Sequence, residues 1–138
     1  SFYNQRAVVY RFEKGVRENN IHMSVIIQEM IRARYAGVIF CRSPEDPHLM
    51  KIELVSGTGE KLVSGTFSPN AYIFRRKDLF LVSKQEYISI PPEIVQSVAR
   101  KGKEIEGLFG SPQDIEWCVD NAGKMWIVQS RPITTASR

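Results

Sequence analysis

Asp114, Glu116, Gln129 and Arg131 fall in the stretch DIEWCVDNAGKMWIVQSRP, residues 114–132. Two carboxylates, a side-chain amide and a guanidinium are the groups that magnesium bound to a triphosphate asks for. The hard ion takes oxygen ligands, commonly one or two from protein, with phosphates and water completing its shell. Glu116 would be the charged ligand and Gln129 the neutral one, while the forked Arg131 suits a phosphoryl group in transfer. The same residue types also make an ordinary exposed face, with Asp114 paired to Arg131 across two strands. Residue type alone does not separate these readings.

Which groups meet depends on strand parity. Side chains alternate across a strand. One face of 114–120 therefore holds Asp114, Glu116, Cys118 and Asp120, and the other holds Ile115, Trp117 and Val119. In 125–131, Met125, Ile127, Gln129 and Arg131 alternate with Trp126, Val128 and Ser130. A four-residue loop, Asp120–Gly123 or Asn121–Lys124, puts Glu116, Gln129 and Arg131 on one face and Ile115, Trp117, Trp126 and Val128 on the other. A three-residue loop with Gly123 in a left-handed bulge separates Glu116 from Gln129. The four-residue loop is the one expected here. Opposed and diagonal neighbours then lie within about 5–8 Å at Cβ.

Further elements must carry this hairpin. SFYNQRAVVYRFEKG reads as a helix closed by Gly15. HMSVIIQEM is rich in β-branched residues and reads as a strand from Met23 to about Met30. AGVIFCR and LMKIELVSG read as strands, the second stopping at Gly57, and AYIFRRK with LFLVSK as a hairpin or bent pair about Asp78. PPEIVQSVARKGKEIEGLFG is the clearest helix: Pro92 in its first turn, a stripe of Ile94, Val98, Ile105 and Leu108/Phe109, and Gly110 to stop it. Gly102 inside it marks a close approach. The fold class is α+β.

The chain has 138 residues, 43% hydrophobic and 25% charged, which suits one domain and not two. No apolar run is long enough to span a membrane, and no charged-then-apolar leader appears. Cys41 and Cys118 lack metal-type spacing and read as buried, reduced thiols of a cytoplasmic protein. The net charge is +4, with short basic clusters at Arg75-Arg76-Lys77 and Arg100-Lys101 but no interleaved aromatics, so a nucleic-acid partner is not expected. SGTGEKLVSG lacks the spacing of a phosphate loop and reads equally as a turn between strands.

DIEWCVDNAGKMWIVQSRPIT closely resembles the end of the nucleotide-binding domain of phosphoenolpyruvate synthases and pyruvate phosphate dikinases, where D-I-E-W, a glycine turn and Q-x-R-P-x-T follow one another. MSVIIQEMIRARYAGVIFCRSP, IELVSGTGEKLVSGTFSPNAYIF and SFYNQRAVVYR resemble earlier segments of that domain in the same order, so the likeness runs from about Arg6 to Thr134. It implies that residues 1–138 form a single domain, the C-terminal subdomain of an ATP-grasp fold, mainly antiparallel sheet with flanking helices. It also implies that Glu116 and Gln129 bind Mg²⁺–ATP, that Arg131 is catalytic and contacts the phosphates, and that Asp114 supports them. Gln28 matches a nucleotide-contacting glutamine, and the backbone of Glu29 and Met30 would face adenine, as strand backbone can. Gly59 and Glu60 lie near the cleft. Thr58 in GTGE, Cys41 in FCRSP and Cys118 after Trp117 depart from the family pattern without removing a ligand. His22 and His48 match no catalytic motif.

The resemblance also implies absent parts: the N-terminal half of the grasp domain with its triphosphate-gripping Lys and Arg, a phosphohistidine domain and a pyruvate-binding barrel. The opening Ser, where Met would be usual, fits an excised piece. The expected activity is that of a parent enzyme moving phosphate from Mg–ATP to a carrier histidine and then to pyruvate, with the fragment alone inactive. The alternatives are a related dikinase with another acceptor, such as rifampin phosphotransferase or glucan–water dikinase, and a non-catalytic nucleotide-binding module.

Overall fold

The computed structural model describes residues 26–59, 61 and 68–133. Residues 26–31 are helical (α1), followed by β1 (Ala33–Phe40), β2 (Leu49–Ser56), β3 (Asn70–Arg75), β4 (Leu81–Gln85), α2 (Pro92–Phe109), β5 (Gln113–Asp120) and β6 (Met125–Pro132). The strands form one sheet in the order β4-β3-β2-β1-β5-β6, and every neighbouring pair is antiparallel. An antiparallel sheet with helices on it is α+β, as the residue pattern indicates.

Strand alternation divides the sheet into two faces. Ile39, Met50, Ile52, Leu54, Tyr72, Phe74, Ile115, Trp117 and Ile127 point to one face and are all buried, together with Val95, Val98, Ala99 and Ile105 of α2. This is the main core. The indole of Trp117 lies over Gly37 in β1, where a Cβ would sit 2.1 Å from the Glu53 carbonyl oxygen and 2.7 Å from Trp117 Cζ2. Only glycine lets the central strand pass beneath that ring. Gly102 marks a second close approach, as expected from its place in the helix: a Cβ there would meet Ile39 Cγ2 at 3.1 Å and Cδ1 at 3.2 Å.

α2 begins with Pro92 in its first turn and ends at Gly110, which is left-handed (φ 75°) and donates its N–H to the Glu106 carbonyl at 2.8 Å. The expected apolar stripe is corrected at its end. The buried positions Val95, Val98, Ala99, Gly102 and Ile105 follow helical spacing, whereas Leu108 and Phe109 are exposed. Ile105 is the last apolar side chain of α2 to reach the core.

The strand expected from Met23 to about Met30 is also corrected, since its described part, from residue 26, is helix. Ile27 and Ile31, one helical turn apart, pack against Ala36, Cys118 and Val128 on the second face of the sheet. That 3.6-residue period outweighs the strand preference of β-branched side chains. The helix closes at Arg32, whose φ of 63° is left-handed and whose N–H reaches the Glu29 carbonyl at 3.1 Å. The helix expected before Gly15 lies outside the described residues, as do His22 and Glu60.

Candidate functional site

The second face of the sheet is polar around β5 and β6. Glu116 stands directly opposite Gln129, and Asp114 directly opposite Arg131. All four groups therefore share one face, as expected, but the route differs from a simple four-residue loop. Asp120 donates its N–H to the Lys124 carbonyl at 2.9 Å, Gly123 donates to the Asp120 carbonyl at 3.0 Å, and Gly123 is left-handed at φ 86°. This is the three-residue turn with a glycine bulge, and it pairs Val119 with Met125, Cys118 with Trp126 and Trp117 with Ile127. Continued unchanged, that register would send Gln129 and Arg131 into the core. A second irregularity intervenes: Trp117 pairs with Ile127 but Glu116 pairs with Gln129, so Val128 is an extra residue. Two one-residue shifts cancel and return Gln129 and Arg131 to the face of Glu116.

The same register corrects the placement of Trp126. It joins Cys118 on the polar face, packed against the small cluster under α1, and not Trp117 in the main core. Asp120 organises this end of the hairpin. Its Oδ1 accepts the N–H groups of Ala122 and Lys124, each at 2.9 Å, and its Oδ2 accepts the Trp126 indole N–H at 3.0 Å. Partial burial pushes the Asp120 carboxyl up, but these hydrogen bonds and the Lys124 charge outweigh it and hold the group below the usual carboxylate range. Asp120 thus serves the turn, leaving Asp114 and Glu116 as the two carboxylates of the site.

The rest of the face follows from the registers across the sheet. Ala71, Glu53, Val38, Glu116 and Gln129 form one row from β3 to β6, and Ile73, Lys51, Phe40, Asp114 and Arg131 form the next. Neighbouring strands lie about 4.8 Å apart, so Glu53 and Lys51 stand roughly 10 Å from Glu116 and Asp114. Lys51 Nζ lies 3.4 Å from Glu53 Oε2. This pair was not singled out from sequence; the alternation in LMKIELVS puts both residues opposite the core, but only the sheet order brings them beside the hairpin. Gln129 is buried, and Asp114, Glu116 and Arg131 are half-buried and each already engaged in an interaction. A cleft of about 500 Å³ lined by Phe40, Arg42, Ser43, Pro44, Pro47, Asp114 and Ile133 opens at the Asp114 end of the sheet.

Gln28 reaches the same side of the sheet from α1. It is fully buried, its Oε1 accepts the Gly59 N–H, and a Cβ on Gly59 would collide with it at 2.7 Å. Its Nε2 has no partner among the described residues. A buried donor left unpaired costs about 1–3 kcal/mol, so this amide is half satisfied by backbone and half available. Glu29 and Met30 are exposed, but the strand-backbone contact expected of them loses its basis in a helix, where the Glu29 carbonyl is already taken by Arg32. Burial, with the charges of Asp120 and Glu116 behind it, pushes the Cys118 thiol up to about 12, and burial does the same at Cys41. Both are free, buried cysteines that stay protonated and are neither nucleophiles nor thiolate ligands at neutral pH.

Among the described residues no three His, Cys, Asp or Glu side chains gather closely enough to hold an ion by themselves. Two carboxylates and an amide oxygen instead suit an ion that arrives with phosphate and water ligands, and so the donor set fits Mg²⁺ carried by a nucleotide.

Comparison with known proteins identifies the family. The family described as "Pyruvate phosphate dikinase, AMP/ATP-binding domain" matches residues 1–88 and 81–138. The chain belongs to that family. Its relatives include a probable phosphoenolpyruvate synthase of Archaeoglobus fulgidus, 32% identical over 98% of this chain and 21% of the relative's length. A rifampicin phosphotransferase of Streptomyces sp is 36% identical over 98% of this chain and 18% of its own length. The phosphoenolpyruvate synthase of Pyrococcus furiosus is 31% identical over 98% of this chain and 21% of its own. The chain therefore spans about a fifth of the length of these curated relatives. Among the described residues, no helix is long and apolar enough to cross a membrane.

Proposed function

We propose that this chain supplies the metal-facing wall of an ATP site, the C-terminal part of an ATP-grasp domain in a larger cytoplasmic phosphotransferase. One observation carries the reading: Glu116 opposes Gln129 and Asp114 opposes Arg131 on a single face that the core does not use. Glu116 and Gln129 hold the metal–phosphate unit through oxygen atoms. Arg131 donates its guanidinium fork to the oxygens of the phosphoryl group in flight, and Asp114, directly across from it, keeps that side chain oriented. Gln28 offers Nε2 to the nucleotide on the α1 side, with Glu29 and Met30 beside it. When bound, Mg²⁺ neutralises phosphate charge and aligns the β- and γ-phosphates for displacement.

Phosphoryl transfer is mostly positioning and charge neutralisation. A single wall without the opposing basic half binds ATP weakly and transfers nothing. Titration calorimetry with Mg–ATP tests this: weak binding that disappears in Glu116→Gln is expected. Submicromolar affinity, or ATP-dependent histidine phosphorylation by this chain alone, overturns it. In the parent enzyme Arg131→Ala should lower kcat about 100-fold or more.

The relatives support two acceptors for the parent, since some are named phosphoenolpyruvate synthases and others rifampicin phosphotransferases. Phosphate passing through a carrier histidine to pyruvate is the first reading, and transfer to rifampicin is the second. Assaying the parent with each acceptor separates them.

A further inference from the structure

A second charged pocket lies beside the start of β2, next to the Pro47 side of the Asp114 cleft. The Arg75-Arg76-Lys77 cluster forms the turn after β3, and the fold brings it to His48, just before β2, and to Lys103 of α2. Together these five residues line a pocket of about 460 Å³. Nothing in the proposed nucleotide chemistry uses it: the nearest strand that bears a proposed ligand is β5, two places along the sheet from β2.

Three of the cations, Arg75, Arg76 and Lys103, are held in place by their own contacts. Arg76 donates to the Pro47 carbonyl at 3.0 Å and to Glu106 Oε2 at 2.5 Å, so its guanidinium ties the loop before β2 to α2. Arg75 makes a two-pronged pair with Asp78 at 2.9 and 2.8 Å, and its guanidinium carbon stands 5.0 Å from the centre of the Phe80 ring. Lys103 Nζ donates to the Arg76 carbonyl. Four permanent cations face two bonded carboxylates, Asp78 and Glu106. Asp46 is nearby, but its Oδ1 accepts the His48 backbone N–H at 2.9 Å and it does not line the pocket. Excess like charge gathered in one concavity repels itself and concentrates anions. Pre-placed guanidiniums lower the ordering cost of binding one.

We propose that the pocket of His48, Arg75, Arg76, Lys77 and Lys103 binds a multivalent phosphate anion, separately from the nucleotide face. Arg75 and Arg76 offer planar donors to phosphate oxygens, and Lys77 and Lys103 act as point charges at the rim. Inorganic pyrophosphate without magnesium is the probe, followed by calorimetry and by the His48 imidazole resonances as a local reporter. Saturable binding that shifts His48, weakens about tenfold or more in the double variant Lys77→Ala/Lys103→Ala and is unchanged in Arg131→Ala supports the site. Circular dichroism checks that both variants fold. Orthophosphate and magnesium-free ATP, run alongside, tell a free phosphate from the tail of a nucleotide by their relative affinities. No saturable binding, binding that leaves His48 unmoved, or binding lost in Arg131→Ala but kept in the lysine double variant overturns it. Because Arg131 and the two lysines are varied separately, failure here leaves the nucleotide reading standing, and the reverse also holds.

Discussion

Two tight hairpins of the sheet, β3–β4 and β5–β6, use one device for different ends. In the β3–β4 hairpin Asp78 accepts the Phe80 N–H at 3.2 Å and both prongs of Arg75, and the turn passes through a left-handed Leu79 at φ 57°. In the β5–β6 hairpin Asp120 accepts two backbone N–H groups and the Trp126 indole, and the turn passes through a left-handed Gly123. Each ladder also slips once, between Ile73 and Phe74 in the first and between Glu116 and Trp117 in the second. The surroundings differ. β4 is exposed along its whole length, while β5 is interior to the sheet and buries Gln113, Ile115, Trp117, Cys118 and Val119. A polar array keeps its register where the opposite face is sealed, because a one-residue slip would drive charges into the core. In the edge hairpin β3 is held by Tyr72 and Phe74 in the core, but β4, exposed throughout, has no such penalty to hold it.

The largest break in this comparison comes from removing the seal. Trp117→Ala should destabilise the chain by about 3–5 kcal/mol, read as a lower urea midpoint, whereas Phe80→Ala on the edge hairpin should cost far less. Equal losses at both positions would mean that the two hairpins are supported alike. The turn comes next. Gly123→Ala forces a Cβ into left-handed backbone and should cost about 1–2 kcal/mol, with no neighbouring atom within 4 Å of the added carbon to offset or worsen it. If Gly123→Ala also weakens Mg–ATP binding in the parent more than this stability loss explains, the turn helps to set the register of Gln129.

Asp120 sharpens the contrast through pH. Its folded pKa is depressed, so the stability it adds is present above its unfolded value of about 3.9 and is lost as pH falls through the lower folded value. Asp78 follows the same sign, its carboxyl held near 2 by Arg75 first and then by the Phe80 N–H and nearby cations, but it is solvent-exposed and screened. Asp120→Asn should therefore lower stability at pH 7 by about 1 kcal/mol and flatten the acid side of the stability curve. Asp78→Asn should do less, and less still in high salt. Identical, salt-independent effects would contradict the assignment of Asp120 as the more deeply engaged of the two.

Much of this was legible in the residues, and the exceptions have physical causes. All six described strands, α2 with its Pro92 start and Gly110 stop, and the close approach at Gly102 follow from local period and turn chemistry, which act over a few residues. So does the shared face of Glu116, Gln129 and Arg131, although through the wrong turn: D-N-A-G offers an aspartate to cap the loop and a glycine for its left-handed position, which is a three-residue signal, while nothing local in WIVQS announces Val128 as an extra residue. The misread strand at residues 26–30 failed because β-branched side chains favour strands until a tertiary partner supplies a helical seam, here Ala36, Cys118 and Val128. Lys51 and Glu53 were visible as outward-facing residues, but their place beside the hairpin depends on a sheet order that brings β2 and β5 to either side of β1.

The smallest expected effect lies at the open edge. Val82 in β4 is 51% exposed and Leu81 beside it 39%, and among the described residues β3 is the strand that pairs with β4. Val82→Lys should shift stability by no more than about 0.5 kcal/mol, because no core contact is lost and the long side chain can lie along the surface with its charge in water. An exposed edge strand is also a template for pairing with another chain, and a lysine added to that of Lys84 opposes it further. Light scattering at high protein concentration should then show equal or weaker self-association for Val82→Lys. A loss of 2 kcal/mol or more would instead mean that β4 is covered in the folded chain and that the two hairpins are less different than their exposure indicates.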